Sequence, residues 1–187
     1  MKIFLSCIFI FLFNVSVYAE SYGTVTGLKI PRFVSLKTDS SNLRVGPGLD
    51  YPKKIHYIKK NLPVEIVDEH LNWRKIIDSD QNEGWMHKRL LKGNRFALID
   101  VSYSEGAQIQ NFPQGNVVGK IGNANIVKLN KCLKKWCHIS ISKNKGWILK
   151  INLWGVYEDE IFNLPFYQPI ISWFWKNKIV IKILNKI

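Results

Sequence analysis

The chain has 187 residues, with 27 Lys and Arg against 14 Asp and Glu, a formal charge of +13, 47% apolar residues and three cysteines. That length fits one mid-sized domain or two small ones and leaves no room for separate cofactor and substrate domains. The apolar and charged fractions exclude a wholly disordered chain, and the positive excess points to anionic surroundings: phospholipid, cell-wall polymer, acidic protein or nucleic acid.

Residues 1–19 carry one charge, Lys2, then an apolar run from Ile3 to Phe13 and small residues at Val17 and Ala19. A positive start, a short apolar core and small residues before the junction make a secretory signal peptide, cleaved before Glu20. The alternative is an uncleaved anchor, but the uncharged stretch 3–19 sits at the bottom of the spanning range, which centres on about 20 residues. Cys7, at the start of the apolar core, is not expected to carry a lipid. Export predicts a periplasmic or secreted protein and removes nucleic acid from the expected partners. It also places Cys132 and Cys137 in an oxidising compartment, where two half-cystines across a short turn read as a local disulfide. Zinc wants four ligands and finds only His138 nearby, while a redox pair normally has two residues between its cysteines, not four.

From 29 to 154 no segment has sustained helical periodicity. Short strand-like runs follow one another instead, bounded by Gly, Pro, Asn and Asp. Examples are 42–45, 62–67, 73–77 and 84–87, with turns at 46–48 and 78–84. Many short strands at this spacing predict a small all-β barrel or sandwich. The pattern then repeats. Val64 lies nine residues before Trp73 and Val127 nine before Trp136; Gly84 and Trp85 close the first copy, Gly146 and Trp147 the second, with Leu91 and Leu153 each six residues further on. Two units of about 60 residues fit the chain.

Asn42, Leu43, Arg44, Val45, Gly46, Pro47 and Gly48, then Asp50, Tyr51 and Pro52, Leu62 to Ile66, Asn72 to Arg74 and Glu83 to Trp85, resemble the bacterial SH3-like domain of exported proteins. The opening at 31–38 and the ending at 153–159 resemble a two-copy branch of it. The resemblance is weaker in the second copy, where Val101, Ser102 and Tyr103 stand in place of the 42–45 pattern. It implies a five-stranded barrel per copy and a binding or targeting role without catalysis. The expected organisation is a signal peptide at 1–19, SH3-like barrels at 29–92 and 98–155, and an aromatic and basic tail at 156–187.

Strand alternation puts Ile76 and Ile139 on the face opposite Trp73 and Trp136. The β-branched residues are expected in the core, with Trp73 and Trp136 partly exposed at hairpin mouths, either as covers of the barrel end or as platforms for a sugar or peptide. Trp85 and Trp147 are expected in the core. Where a eukaryotic SH3 groove has Pro and then Tyr, this chain has His87 and Leu90 in one copy and Leu149 and Asn152 in the other, so polyproline binding is not expected. Residues 20–91 hold 12 basic and 9 acidic residues and residues 92–154 hold 10 and 2, which makes the second copy the electropositive one. Lys128, Lys134 and Lys135, close to Trp136, complete the candidate ligand-binding set.

Residues 161–175 are uncharged, aromatic and interrupted by Pro165 and Pro169, too short to span a bilayer. Trp, Phe and Lys in residues 161–187 suit a peripheral membrane contact, docking on a partner, or packing on the chain's own barrel. The four histidines, His56, His70, His87 and His138, show no metal-ligand spacing, and Asp39, Asp50, Glu65, Asp68 and Glu69 form no glycosidase pattern. Adjacent strand residues point apart, so Cys137 and His138 do not form a nucleophile–base pair. The reading is a non-enzymatic protein without cofactor or metal that binds cell-wall glycopeptide or another anionic envelope component. A structural subunit of an envelope protein complex, docking through its tail, is the alternative.

Overall fold

A computed structural model describes residues 20–101 and 106–165. The leader expected at 1–19 and residues 166–187 of the expected tail lie outside them. A small antiparallel hairpin, β1 (Ser21–Tyr22) and β2 (Lys29–Ile30), comes first. Strands β3 (Arg32–Leu36), β4 (Ser41–Arg44), β5 (Lys53–Tyr57), β6 (Pro63–His70), β7 (Trp73–Ile77), β8 (Glu83–His87) and β9 (Leu91–Lys92) form one antiparallel sheet in the order β5-β4-β8-β7-β6-β3-β9. Strands β10 (Phe96–Ile99), β11 (Ala107–Gln110), β12 (Val117–Ile121), β13 (Ile126–Cys132), β14 (Trp136–Ile141), β15 (Asn144–Leu149) and β16 (Leu153–Trp154) form a second, in the order β12-β11-β15-β14-β13-β10-β16. The two orders match position for position. The protein is all-β, two tandem SH3-like domains.

Each unit has seven strands where the family resemblance implies five. The extra pair, β4–β5 or β11–β12, is a hairpin in the long connection after the unit's first strand. This hairpin also corrects the reading of the second copy. Gln110 pairs with Trp147 as Arg44 pairs with Trp85, so the counterpart of 42–45 runs through β11 and not through Val101 to Tyr103.

The cores follow the alternation. Leu36, Leu43, Val64, Ile66, Ile76 and Met86 fill the first unit; Ile99, Val127, Leu129, Ile139 and Ile148 dominate the second. Each such side chain stabilises its unit by about 1.5–3 kcal/mol on burial. The repeated Gly before Trp has a steric cause. A Cβ on Gly84 would stand 2.7 Å from the Arg44 carbonyl oxygen, and one on Gly146 2.3 Å from Ile109 Cγ2, so β4 and β11 can cross there only over a glycine.

β6 and β13 carry a bulge at the same place, between Ile66 and Asp68 and between Leu129 and Lys131. The extra residue shifts the in–out alternation by one. Val64 and Ile66 point inward, and beyond the bulge Glu69 does so instead of Asp68; Cys132 follows Val127 and Leu129 in the same way. Each of these residues then faces a cross-strand partner: Glu69 pairs with Arg74, Cys132 with Cys137. One position in the repeat is thus an ion pair in the first unit, with Arg74 Nε 3.4 Å from the carboxylate, and the expected disulfide in the second.

Flanking segments close both positions. Glu69 is fully buried and accepts hydrogen bonds from Arg32 (2.6 Å), the Thr26 hydroxyl (2.7 Å) and the Thr26 and Val25 amides (2.8 and 3.1 Å), which fastens the N-terminal hairpin to the first unit. Burial pushes this carboxyl up, but the hydrogen bonds from Arg32 and the 25–26 segment outweigh it and bring its pKa down to about 2. In the second unit Phe162 bridges to Cys132, and Asn163 donates to the Asn130 carbonyl.

The units meet where the opening and closing motifs of the sequence come together. Phe33 packs edge-on against Trp154 (5.2 Å between centroids) and obliquely on Tyr157 (4.7 Å). The Tyr157 hydroxyl donates to Glu65 at 2.7 Å; burial and this bond raise the phenol pKa far above its ordinary value. Arg95, in the short link between β9 and β10, pairs with Glu160, donates to the Gly155 carbonyl and lies over the Phe33 and Phe162 rings.

Candidate functional site

In an antiparallel ladder, directly opposed residues share a face. Trp73 opposes His87 and Lys75 opposes Trp85, so Trp73 and Trp85 lie on the same outer side of the first unit while Ile76 and Met86 face the core. The second unit repeats this: Trp136 opposes Leu149 and His138 opposes Trp147. The expectation that Trp85 is a core residue is therefore corrected, while Trp147 is buried as expected but on this outer side; each lies two positions along the strand from the partner of the first Trp, and that separation keeps both on one face.

Exposure along these faces also differs from expectation in the first unit. Trp73 is 9% exposed, with the His87 ring edge-on at 5.4 Å, whereas Trp85 is half-buried with His70 against it at 6.4 Å. In the second unit Trp136 is the half-buried indole. Trp147 is 5% exposed beneath His138 (5.2 Å) and the Lys131 ammonium (5.1 Å). Burial, and next to it the charges of Lys131 and Lys145, hold the His138 pKa below its usual value. Its neighbour Cys137 is buried in the core with its sulfur in the disulfide. Among the described residues no three His, Cys, Asp or Glu side chains come together to hold a metal ion.

Lys134 and Lys135 lie in the tight turn that the disulfide closes, exposed at the rim of a cavity of about 440 Å³. Leu149, Ile151, Leu153 and Val156 supply its apolar lining, and Glu158 its single carboxylate. Trp136 stands beside it through its cross-strand pairing with Leu149. Lys150 is almost wholly buried; its ammonium donates to the carbonyls of Glu158 (2.9 Å) and Glu160 (2.7 Å), and burial lowers its pKa. Lys150 thus fixes the cavity wall, while Lys134 and Lys135 present charge to solvent. Ile151, 86% exposed, forms an apolar lip.

The structure brings together three of the five predicted ligand-binding residues: Lys134, Lys135 and Trp136. Trp73 belongs to the other unit, and Lys128 lies partway down β13 in a different depression. Leu149, Ile151 and Val156 were not singled out as a group by sequence reasoning. Leu149 alone had a signal, as the residue standing where an SH3 groove has Pro.

A family model described as "Bacterial SH3 domain" matches residues 37–93 and 113–155, together more than half of the chain. The chain belongs to the bacterial SH3 domain family. A comparison with curated proteins returned no match. Among solved structures, NlpC1 from Trichomonas vaginalis is similar at 15% identity and a TM-score of 0.27, over 72% of this chain and 47% of that one. This chain thus spans about half the length of that protein.

Proposed function

We propose that the protein is a non-catalytic, exported adaptor that recognises cell-wall glycopeptide (peptidoglycan) through the second SH3-like unit. The observation that carries this reading is the cavity of about 440 Å³ with an apolar lining, a rim of Lys134 and Lys135, and Trp136 alongside. An indole and aliphatic floor suit the apolar faces of sugar rings and peptide methyls. Lysines at the rim attract wall carboxylates and raise the encounter rate. Membership of the bacterial SH3 domain family supports a binding role. Buried Lys150 and the Cys132–Cys137 disulfide hold the turn and wall in place before the ligand arrives, which reduces the ordering cost of binding.

The test is co-sedimentation of the mature protein with purified cell wall. A Lys134→Ala/Lys135→Ala/Trp136→Ala variant with an unchanged circular dichroism spectrum should be retained at least about fivefold less than wild type, as expected on losing two rim charges and an aromatic contact. Equal retention refutes the assignment. Release of dye from labelled wall by the wild-type protein would refute the non-catalytic reading.

A further inference from the structure

The two units together form a second depression. Lys59, Lys60 and Asn61 reach it from the first unit; Phe96, Lys128 and Ser140 are among its lining residues from the second, around a volume of about 490 Å³. We propose that this inter-unit groove is a binding site for a phosphate-bearing anionic ligand, separate from the cavity at Lys134 and Lys135.

Positive charge converges here from both units. The Lys59 ammonium crosses to the Ala124 carbonyl of the second unit at 3.2 Å, which sets the two walls against each other. Lys92 contacts two lining residues, donating to Asn61 Oδ1 at 2.5 Å and lying over the Phe96 ring at 4.9 Å. Burial lowers the Lys92 pKa, and the charge of Lys60 lowers it further, so the ammonium groups are near enough to repel. Among the described residues no carboxylate forms an ion pair with Lys59, Lys60, Lys92 or Lys128. A bound anion relieves this repulsion.

The second unit adds a directed row. Phe96 opposes Lys128, Lys128 opposes Ser140, and Ser140 opposes Lys145, so one line across β10, β13, β14 and β15 carries two ammonium groups with a hydroxyl between them. The Ser140 oxygen accepts a hydrogen bond from Asn130 at 2.7 Å, which leaves its proton to donate. The lining donors are point-like ammonium groups, hydroxyls and asparagine amides, without an arginine fork. That set suits the tetrahedral oxygens of phosphate better than planar carboxylate.

The test uses the full mature chain and short-chain inorganic polyphosphate, followed by calorimetry. Lys60→Ala/Lys128→Ala should weaken binding about tenfold or more, the scale of losing two charge-assisted contacts, while Lys134→Ala/Lys135→Ala stays within about twofold of wild type. Ser140→Ala, which leaves the charge unchanged, should also weaken binding, by about threefold for one lost hydrogen bond. No binding of polyphosphate, equal losses from the two lysine pairs, or wild-type binding by Ser140→Ala would each overturn the site. A parallel arm with phosphatidylglycerol vesicles identifies the source of the phosphate. Vesicle binding lost in Lys60→Ala/Lys128→Ala supports a lipid headgroup in the groove, and polyphosphate binding without vesicle binding supports a soluble or polymeric phosphate there. Wall retention of the Lys60→Ala/Lys128→Ala variant stays at the wild-type level, so failure here and failure of the wall-binding proposal are separable.

Discussion

Glu69 provides the most direct check on the packing. Its carboxyl group is fully buried, and its pKa is lowered from an ordinary 4.5 to about 2 by Arg32 and the 25–26 segment. At about 1.4 kcal/mol per pH unit, this depression amounts to about 3 kcal/mol of stability at neutral pH. The sign follows from the folded value lying below the unfolded one. The contribution is complete above the unfolded pKa, falls to about 1 kcal/mol at pH 3, and is nearly gone at about pH 2. Glu69→Gln keeps the shape and removes the charge, leaving Arg32 and Arg74 without their shared counter-ion. Urea unfolding followed by hydrogen exchange of peptides from β6 and β7 should show a loss of about 3 kcal/mol at pH 7. At pH 3 the gap between variant and wild type should shrink by more than half, because the wild-type carboxylate is then losing its advantage. A gap below about 1 kcal/mol at pH 7, or one that does not change between pH 7 and pH 3, would refute the reasoning.

Four further outcomes are expected. Cys132→Ser/Cys137→Ser should lower the second unit's stability by about 2 kcal/mol, the loop-closure value for so short a ring; thermal unfolding of oxidised and reduced wild type brackets the same difference. Gly146→Ala should cost about 2 kcal/mol or more, since its Cβ would press on Ile109 Cγ2 and the Gln110 carbonyl and push β11 off β15; chemical denaturation reads it. Tyr157→Phe should cost about 1 kcal/mol through the lost bond to Glu65, and Phe33→Ala should separate the unfolding of the two units in calorimetry by removing the ring that contacts Trp154 and Tyr157.

The all-β class, the duplication and the disulfide were legible from the residues because each depends on local spacing. Alternation names the core strand residues, a repeated Gly and Trp marks the crossing strand, and two cysteines with four residues between them suit a hairpin end. The Lys134, Lys135 and Trp136 cluster was legible for the same reason, since one turn holds all three. Trp85 was expected in the core but is half-buried on the outer side, because the face of a residue depends on which partner it opposes across the ladder. That register is set by neighbouring strands, not by the residue's own strand.

Tertiary structure alone decided the rest. A single bulged residue in β6 turned Glu69 inward, and the bulge is invisible in a list of apolar positions because it changes pairing without changing composition. Only the closure of the two units against each other brought Lys60 near Lys128, residues 68 positions apart in the chain. Short-range pattern follows from backbone geometry and is written locally, whereas a groove between two folded bodies depends on how their surfaces pack.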